Sequence, residues 1–259
     1  MSRFLTIYLV QLKIYSLSSN NQLLIFIRTV VFYSGFIPLT IVTCTMFILL
    51  FPCLSKKARY KLTAGWCDSV LSWLRLVCGV RYEVVGIENL PNTPTVFLAN
   101  HQSSWETIFF YSLLCPVSPI LKKELMRIPF WGWAMRLQNP IAIDRSKPRE
   151  AGKSVLVQGV DRLENGNSVI VFPEGTRSVA GTVKRFSRGG AKLAVAADVA
   201  IVPIAHNAGD CWPSRQFIKR PGFITVTVGK PIAVDGRDAG DLTTEVEQWI
   251  SEQLHQASA

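Results

Sequence analysis

Residues 29–55 carry no charge, and most of them are apolar. A helix needs about 20 such residues to cross the hydrocarbon core of a bilayer, so this run predicts a tilted membrane-spanning helix. Pro38 lies inside the run and either kinks the helix or turns it back as a re-entrant hairpin. The length favours spanning. Arg28 precedes the run, and Lys56, Lys57, Arg59 and Lys61 follow it. The heavier positive flank is C-terminal, which puts the rest of the chain on the cytoplasmic side. The run starts too late and is too long for a signal peptide. Residues 1–28 are apolar with scattered cations and suit an interfacial amphipathic helix, broken by the polar stretch at 16–22. Residues 1–57 therefore form a membrane-associated region and 58–259 a separate domain.

Within that domain, residues 58–80 read as a helix with Trp66, Trp73, Leu74 and Val77 among its apolar positions. From Arg81 the pattern changes. RYEVVG, PTVFLAN, VSPIL, NPIAID, NSVIVF, AIVPIAH and FITVTVG read as short strands, the last with strict alternation. Helical stretches at 104–114, 148–164, 189–198 and 241–255 fall between or after them, and a further helix follows VSPIL. Leu242, Val246, Trp249 and Ile250 share one face of the last. Strands alternating with helices predict a layered α/β fold with a mostly parallel sheet, whose chemistry collects at the carboxyl ends of the strands.

Lys and Arg number 28 against 18 acids, a net charge of +10. Such a balance implies an anionic partner, whether nucleic acid, anionic lipid or a phosphorylated substrate. No nucleic-acid recognition motif is present, and such a role leaves the apolar run without a use. The six cysteines form no CxxC pair, so they read as small buried hydrophobes rather than disulfides or metal ligands.

Candidate chemistry sits in the loops after three strands. The first is Asn100-His101-Gln102-Ser103-Ser104-Trp105-Glu106. On a regular helix, residues five apart lie ~140° apart, so His101 and Glu106 meet only if the histidine occupies the strand-to-helix turn. Glu106 would then orient His101 as a general base. Ser103-x-x-Glu106 is equally a capping box, in which the carboxylate merely closes the helix start. From the residues alone both readings stand. The second loop is Phe172-Pro173-Glu174-Gly175-Thr176-Arg177-Ser178. Here Gly175 permits close backbone approach, Thr176 and Ser178 add hydroxyls, and the Arg177 guanidinium fits a phosphate. The third set is Lys122-Lys123-Glu124-Leu125, Arg127 and Ile141-Ala142-Ile143-Asp144-Arg145, with the aromatic patch Phe130, Trp131 and Trp133 between. Ser103 and Ser104 lack the G-x-S-x-G setting of a nucleophile and read as caps.

Together these segments resemble the glycerolipid acyltransferase family, and in particular its bacterial 1-acyl-sn-glycerol-3-phosphate acyltransferases. The family's N-H-x4-D reads NHQSSWE here, its K-x-E-L and I-D-R read KKEL and IAIDR, and its F-P-E-G-T-R-S is intact at 172–178. An apolar-Pro-apolar strand matches Val202-Pro203-Ile204. The resemblance covers about residues 75–235. Two departures stand out: the motif carboxylate is Glu106 instead of Asp, and the family's Phe-Lys-x-Gly-Ala becomes Phe186-Ser187-Arg188-Gly189-Gly190-Ala191.

The resemblance implies direct acyl transfer from acyl-CoA or acyl carrier protein to the 2-hydroxyl of 1-acyl-sn-glycerol-3-phosphate (lysophosphatidic acid). His101 would be the base and Glu106 its orienter. Glu174, Gly175, Thr176 and Arg177 would hold the glycerophosphate, with Lys122 and Arg145 as further candidates. It implies no metal or prosthetic group, membrane lipids as partners, and a place on the bacterial inner membrane. A different lyso-lipid or glycerol-3-phosphate is the alternative acceptor.

Overall fold

The computed structural model describes residues 19–257. Helix α1 (Ser19–Leu50) leads through a 3₁₀ turn to α2 (Lys56–Cys78). Then follow β1 (Val80–Val85), β2 (Val96–Ala99), α3 (Trp105–Leu113), β3 (Val117–Lys122), α4 (Trp131–Arg136) and β4 (Ile141–Ile143). The chain ends with α5 (Pro148–Glu164), β5 (Ser168–Val171), α6 (Gly189–Ala197), β6 (Ile201–His206), β7 (Gly222–Val228) and α7 (Ala239–Ala257). The seven strands form one sheet in the order β1-β7-β6-β2-β5-β3-β4. Every neighbouring pair is parallel except β6 and β7. This is the layered, mostly parallel α/β architecture that the alternating pattern predicts.

The central strands are apolar throughout because helices cover both faces of the sheet. All of β2 and all of β6 are buried. On one face Phe97, Ala99, Ile224, Val226 and Val228 pack beneath α2 and α3. There Trp105 and Phe109 stack with ring centroids 4.5 Å apart. On the other face α7 buries Leu242, Val246, Ile250 and Leu254, a stripe at four-residue spacing. Each such side chain contributes roughly 1.5–3 kcal/mol as an upper bound. Gly190 lets α6 lie close on β2, since a Cβ there would fall 2.4 Å from the Leu98 side chain.

Helix α1 runs unbroken through Pro38, so the proline neither ends the helix nor folds it back. The hairpin forms instead between α1 and α2, at the 3₁₀ turn Phe51–Cys53 and the N-cap Ser55, whose hydroxyl accepts the Ala58 N–H. Gly35 permits the contact: the Trp73 indole fills the space where a side chain would be, and its N–H donates to the Phe32 carbonyl at 3.1 Å. By length and composition the helix can cross a membrane. It also packs on the domain at its middle and near its C-terminal end. Phe32 is fully buried against the ring of Trp212, and Cys44 and Phe47 cluster with Ala134 of α4. The amphipathic helix expected over residues 1–28 lies outside the described residues up to residue 18; from Ser19 the chain is already α1.

The helix expected after VSPIL is a 3₁₀ turn, Lys123–Arg127, followed by the short α4. Gly132 allows this compaction, because a Cβ there would lie 2.6 Å from the Leu125 carbonyl oxygen and 2.8 Å from the Met126 carbonyl carbon. Backbone cannot rotate aside as a side chain can. Gly132→Ala should therefore lower stability by about 1–3 kcal/mol. Gly152→Ala, in α5 with nothing within 4 Å, should raise it by up to ~1 kcal/mol. Thermal unfolding of both variants in one detergent checks the pair.

Candidate active site

Strands β2, β5 and β6 end on the same edge of the sheet. The residues directly after or at those ends are the ones the sequence marks as chemical. Asn100 is buried and ties β2 to β6. Its side-chain N–H donates to the His206 carbonyl at 2.9 Å, and its amide oxygen accepts the His206 N–H at 3.0 Å. The His206 ring closes the set, with Nε2 donating to the Asn100 carbonyl at 2.8 Å and Nδ1 accepting the Ala208 N–H at 3.3 Å. These roles make His206 a neutral, structural histidine. Burial pushes its pKa down, against the pull of the nearby Glu106 charge.

His101 occupies the strand-to-helix turn and Glu106 the first turn of α3, the one arrangement in which they can meet. The His101 Nδ1 lies 2.7 Å from Glu106 Oε1. The same oxygen accepts the Ser103 N–H at 2.9 Å, and the Ser103 hydroxyl accepts the Trp105 N–H at 3.0 Å. The two readings of this segment are thus compatible: one carboxylate oxygen closes the helix start and holds the imidazole. The longer Glu side chain reaches the ring without difficulty. Donating Nδ1–H to a carboxylate leaves Nε2 with its lone pair. The imidazole is further fixed by stacking on Phe172, centroids 4.3 Å apart and planes within 22°.

Glu106 is fully buried. Burial by itself would raise its pKa. The His101 hydrogen bond, the electrostatic influence of the nearby His206 and His101 rings and the Ser103 N–H outweigh burial and hold it below the usual value.

The loop after β5 wraps around His101. Glu174 Oε1 accepts the His101 backbone N–H at 2.7 Å, and the His101 carbonyl accepts the Ser178 N–H at 2.7 Å. Glu174 Oε2 accepts the Ser178 hydroxyl and the Lys184 N–H. Glu174 is therefore turned inward onto backbone. Arg177 Nε donates to the Ser103 carbonyl at 2.9 Å. Gly175 adopts φ of +71°, which favours glycine, and its carbonyl accepts Arg145 Nη1 at 2.7 Å. Thr176 is exposed beside it. Lys122 ends β3, next to β5 in the sheet, and is half-exposed 3.8 Å from Glu124. The structure thus brings His101, Glu106, Glu174, Gly175, Arg177 and Arg145 into one connected network, with Thr176 at its surface and Lys122 outside its hydrogen bonds. Sequence reasoning placed Asn100 in the NHQSSWE motif without a role of its own and gave His206 no part; the tie between them had no signal beyond their position at two strand ends.

Acidification should cost stability in two windows. His206 binds protons less readily folded than unfolded, so its contribution is full above about 6.5 and falls below it. Glu106 has a lowered folded pKa, so its contribution is present above about 4.5 and is lost as pH falls through the lower folded value. Chemical unfolding at pH 7.5 and 5.5 should show lower stability at 5.5, and His206→Gln should flatten that difference.

A family model described as Acyltransferase matches residues 81–207. A 1-acyl-sn-glycerol-3-phosphate acyltransferase of Pseudomonas aeruginosa is 43% identical over 236 residues, 90% of this chain and 92% of that one. The mouse 1-acyl-sn-glycerol-3-phosphate acyltransferase alpha is 32% identical over 216 residues, 82% of this chain and 73% of its own. The crystal structure of a 1-acyl-sn-glycerophosphate (LPA) acyltransferase from Thermotoga maritima superposes with a TM-score of 0.78 at 24% identity, covering 90% of this chain and 96% of the other, which shows a shared fold. With the histidine–glutamate pair, the intact FPEGTRS loop and near full-length similarity in hand, the chain belongs to the family of 1-acyl-sn-glycerol-3-phosphate acyltransferases.

Proposed function

We propose that this protein transfers a fatty acyl group from an acyl thioester to the 2-hydroxyl of 1-acyl-sn-glycerol-3-phosphate, giving phosphatidic acid. The observation that carries the reading is the buried 2.7 Å contact between His101 Nδ1 and Glu106, on the edge that also holds Arg177. As the acceptor oxygen attacks the thioester carbonyl carbon, its proton passes to His101 Nε2. Glu106 stabilises the imidazolium. The carbon–sulfur bond then breaks and the thiolate leaves. It is a far better leaving group than an alkoxide because a thiol has a pKa of ~8.5. His101 returns the proton to it. These steps balance without a metal or prosthetic group, and either acyl-CoA or acyl carrier protein supplies the thioester.

Arg177 and the Gly175–Thr176 backbone hold the acceptor's phosphate, with Arg145 and Lys122 adding positive charge at the rim. Glu174 acts as a positioning residue, since its carboxylate grips the His101 backbone. Helix α1, apolar and exposed along much of its length, attaches the domain to a membrane. Because it also packs on the domain through Phe32 and Phe47, we favour a helix lying in the bilayer surface over one standing alone across it. In a bacterial cell the cations Lys56, Lys57, Arg59 and Lys61 that open α2 favour the anionic cytoplasmic leaflet.

The test is transfer from a radiolabelled acyl thioester to 1-acyl-glycerol-3-phosphate in membranes. His101→Ala should lower kcat by about 10²–10⁴-fold, and Glu106→Gln should lower it in the same direction. Activity on another lyso-lipid alone would replace the acceptor; a near-normal rate in His101→Ala would remove the mechanism. Arg177→Ala should raise KM for the phosphorylated acceptor roughly tenfold or more, a charged hydrogen bond being worth ~1.5–3 kcal/mol.

A further inference from the structure

Three arginines from three elements line one open crevice of about 810 Å³: Arg28 of α1, Arg75 in the last turn of α2 and Arg81 of β1. Ser72, Gly79 and the start of β7 complete its wall, and no carboxylate lines it. Among the described residues, none of the three guanidinium groups makes a hydrogen bond or an ion pair. The cations after α1 differ in this respect. Lys56 donates to the Asn165 carbonyl and Arg59 to the Phe51 carbonyl. Unpaired like charges gathered in one crevice repel one another, and an anion relieves that repulsion.

What borders the crevice identifies the anion. On α1, Leu24, Ile27 and Val31 share the face of Arg28 at helical spacing, and all are about half exposed. Leu76 and Phe223 stand exposed on the other side, Leu76 at 77%. The arginines thus sit among exposed apolar side chains, with Arg28 on the membrane-attaching helix itself, the setting in which a long cationic side chain rises to headgroup depth. Arg81 pairs in register with Phe223, and both strands begin on the edge where β2 and β6 end.

We propose that this crevice binds the phosphate headgroup of an anionic membrane phospholipid and so fixes the domain on the bilayer with the His101 edge toward the lipid. The inference rests on α1 being the membrane attachment, not on the identity of the acyl acceptor. Each arginine is worth about fivefold in affinity for an anionic lipid.

The experiment uses the full chain in a neutral detergent, with retained lipid read by native mass spectrometry and stabilisation by thermal shift. Phosphatidylglycerol should be retained over phosphatidylcholine of the same acyl length, less so as salt is raised. The variant R28Q/R75Q/R81Q should lose that preference by about 100-fold, while unfolding at the wild-type temperature without lipid and keeping its rate on a micellar acceptor. Equal retention of the two lipids by the wild type, or unchanged preference in the variant, overturns the proposal. So does displacement of phosphatidylglycerol by adenosine 3′,5′-bisphosphate at concentrations where inorganic phosphate has no effect, which would make the crevice a nucleotide site. Because lipid retention is read without turnover, loss of the acyl-transfer reading would leave this result standing.

Discussion

The site depends on how one peptide unit is held. His101 is the second residue after β2, in the turn to α3, where a free strand end would move. Its N–H is taken by Glu174 and its carbonyl by the Ser178 N–H, each at 2.7 Å. A strand-end residue gripped from both sides by a neighbouring loop has little freedom left, so its ring can be aimed. Glu106 and Phe172 then fix the ring's rotation and tilt. A group poised to move a proton gains from this kind of preorganisation. It also explains why the FPEGTRS loop has to carry a carboxylate that never faces outward.

Charge burial sets the second constraint. Glu106 has no exposed surface, and an isolated carboxylate there would be strongly disfavoured. It remains ionised because the His101 ring and the Ser103 N–H bond to it and the His206 ring lies close by. His206, close by, remains neutral because its ring is consumed by backbone groups on both sides. Two histidines in one buried neighbourhood thus differ: both ring nitrogens of His206 are taken by backbone, whereas His101 holds Glu106 through Nδ1.

Much of this was legible in the sequence, for physical reasons. Strands such as VFLA and IVPIAH are short, apolar and flanked by turn-formers, and α7 shows its buried stripe at four-residue spacing. The NHQSSWE geometry followed from helix periodicity once the strand end was placed. Other features had no local signal. The inward turn of Glu174 depends on a neighbour 73 residues away. The Asn100–His206 tie joins residues 106 apart. The compaction around Gly132 is set by backbone close to it in space but not by any periodic pattern. Length and hydropathy show α1 to be long and apolar enough to cross a membrane, but neither quantity registers that Phe32 and Phe47 face protein.

The single reversed strand pair has a consequence for how substrate and catalyst meet. Because β7 runs against β6, and β1 runs with β7, the chain enters the sheet from the edge where β2, β5 and β6 finish. The hairpin of α1 and α2 is therefore joined to the side of the domain that holds His101. In a wholly parallel sheet of the same order it would be joined to the opposite side. One change of direction in the topology spares a water-insoluble molecule the journey around the protein.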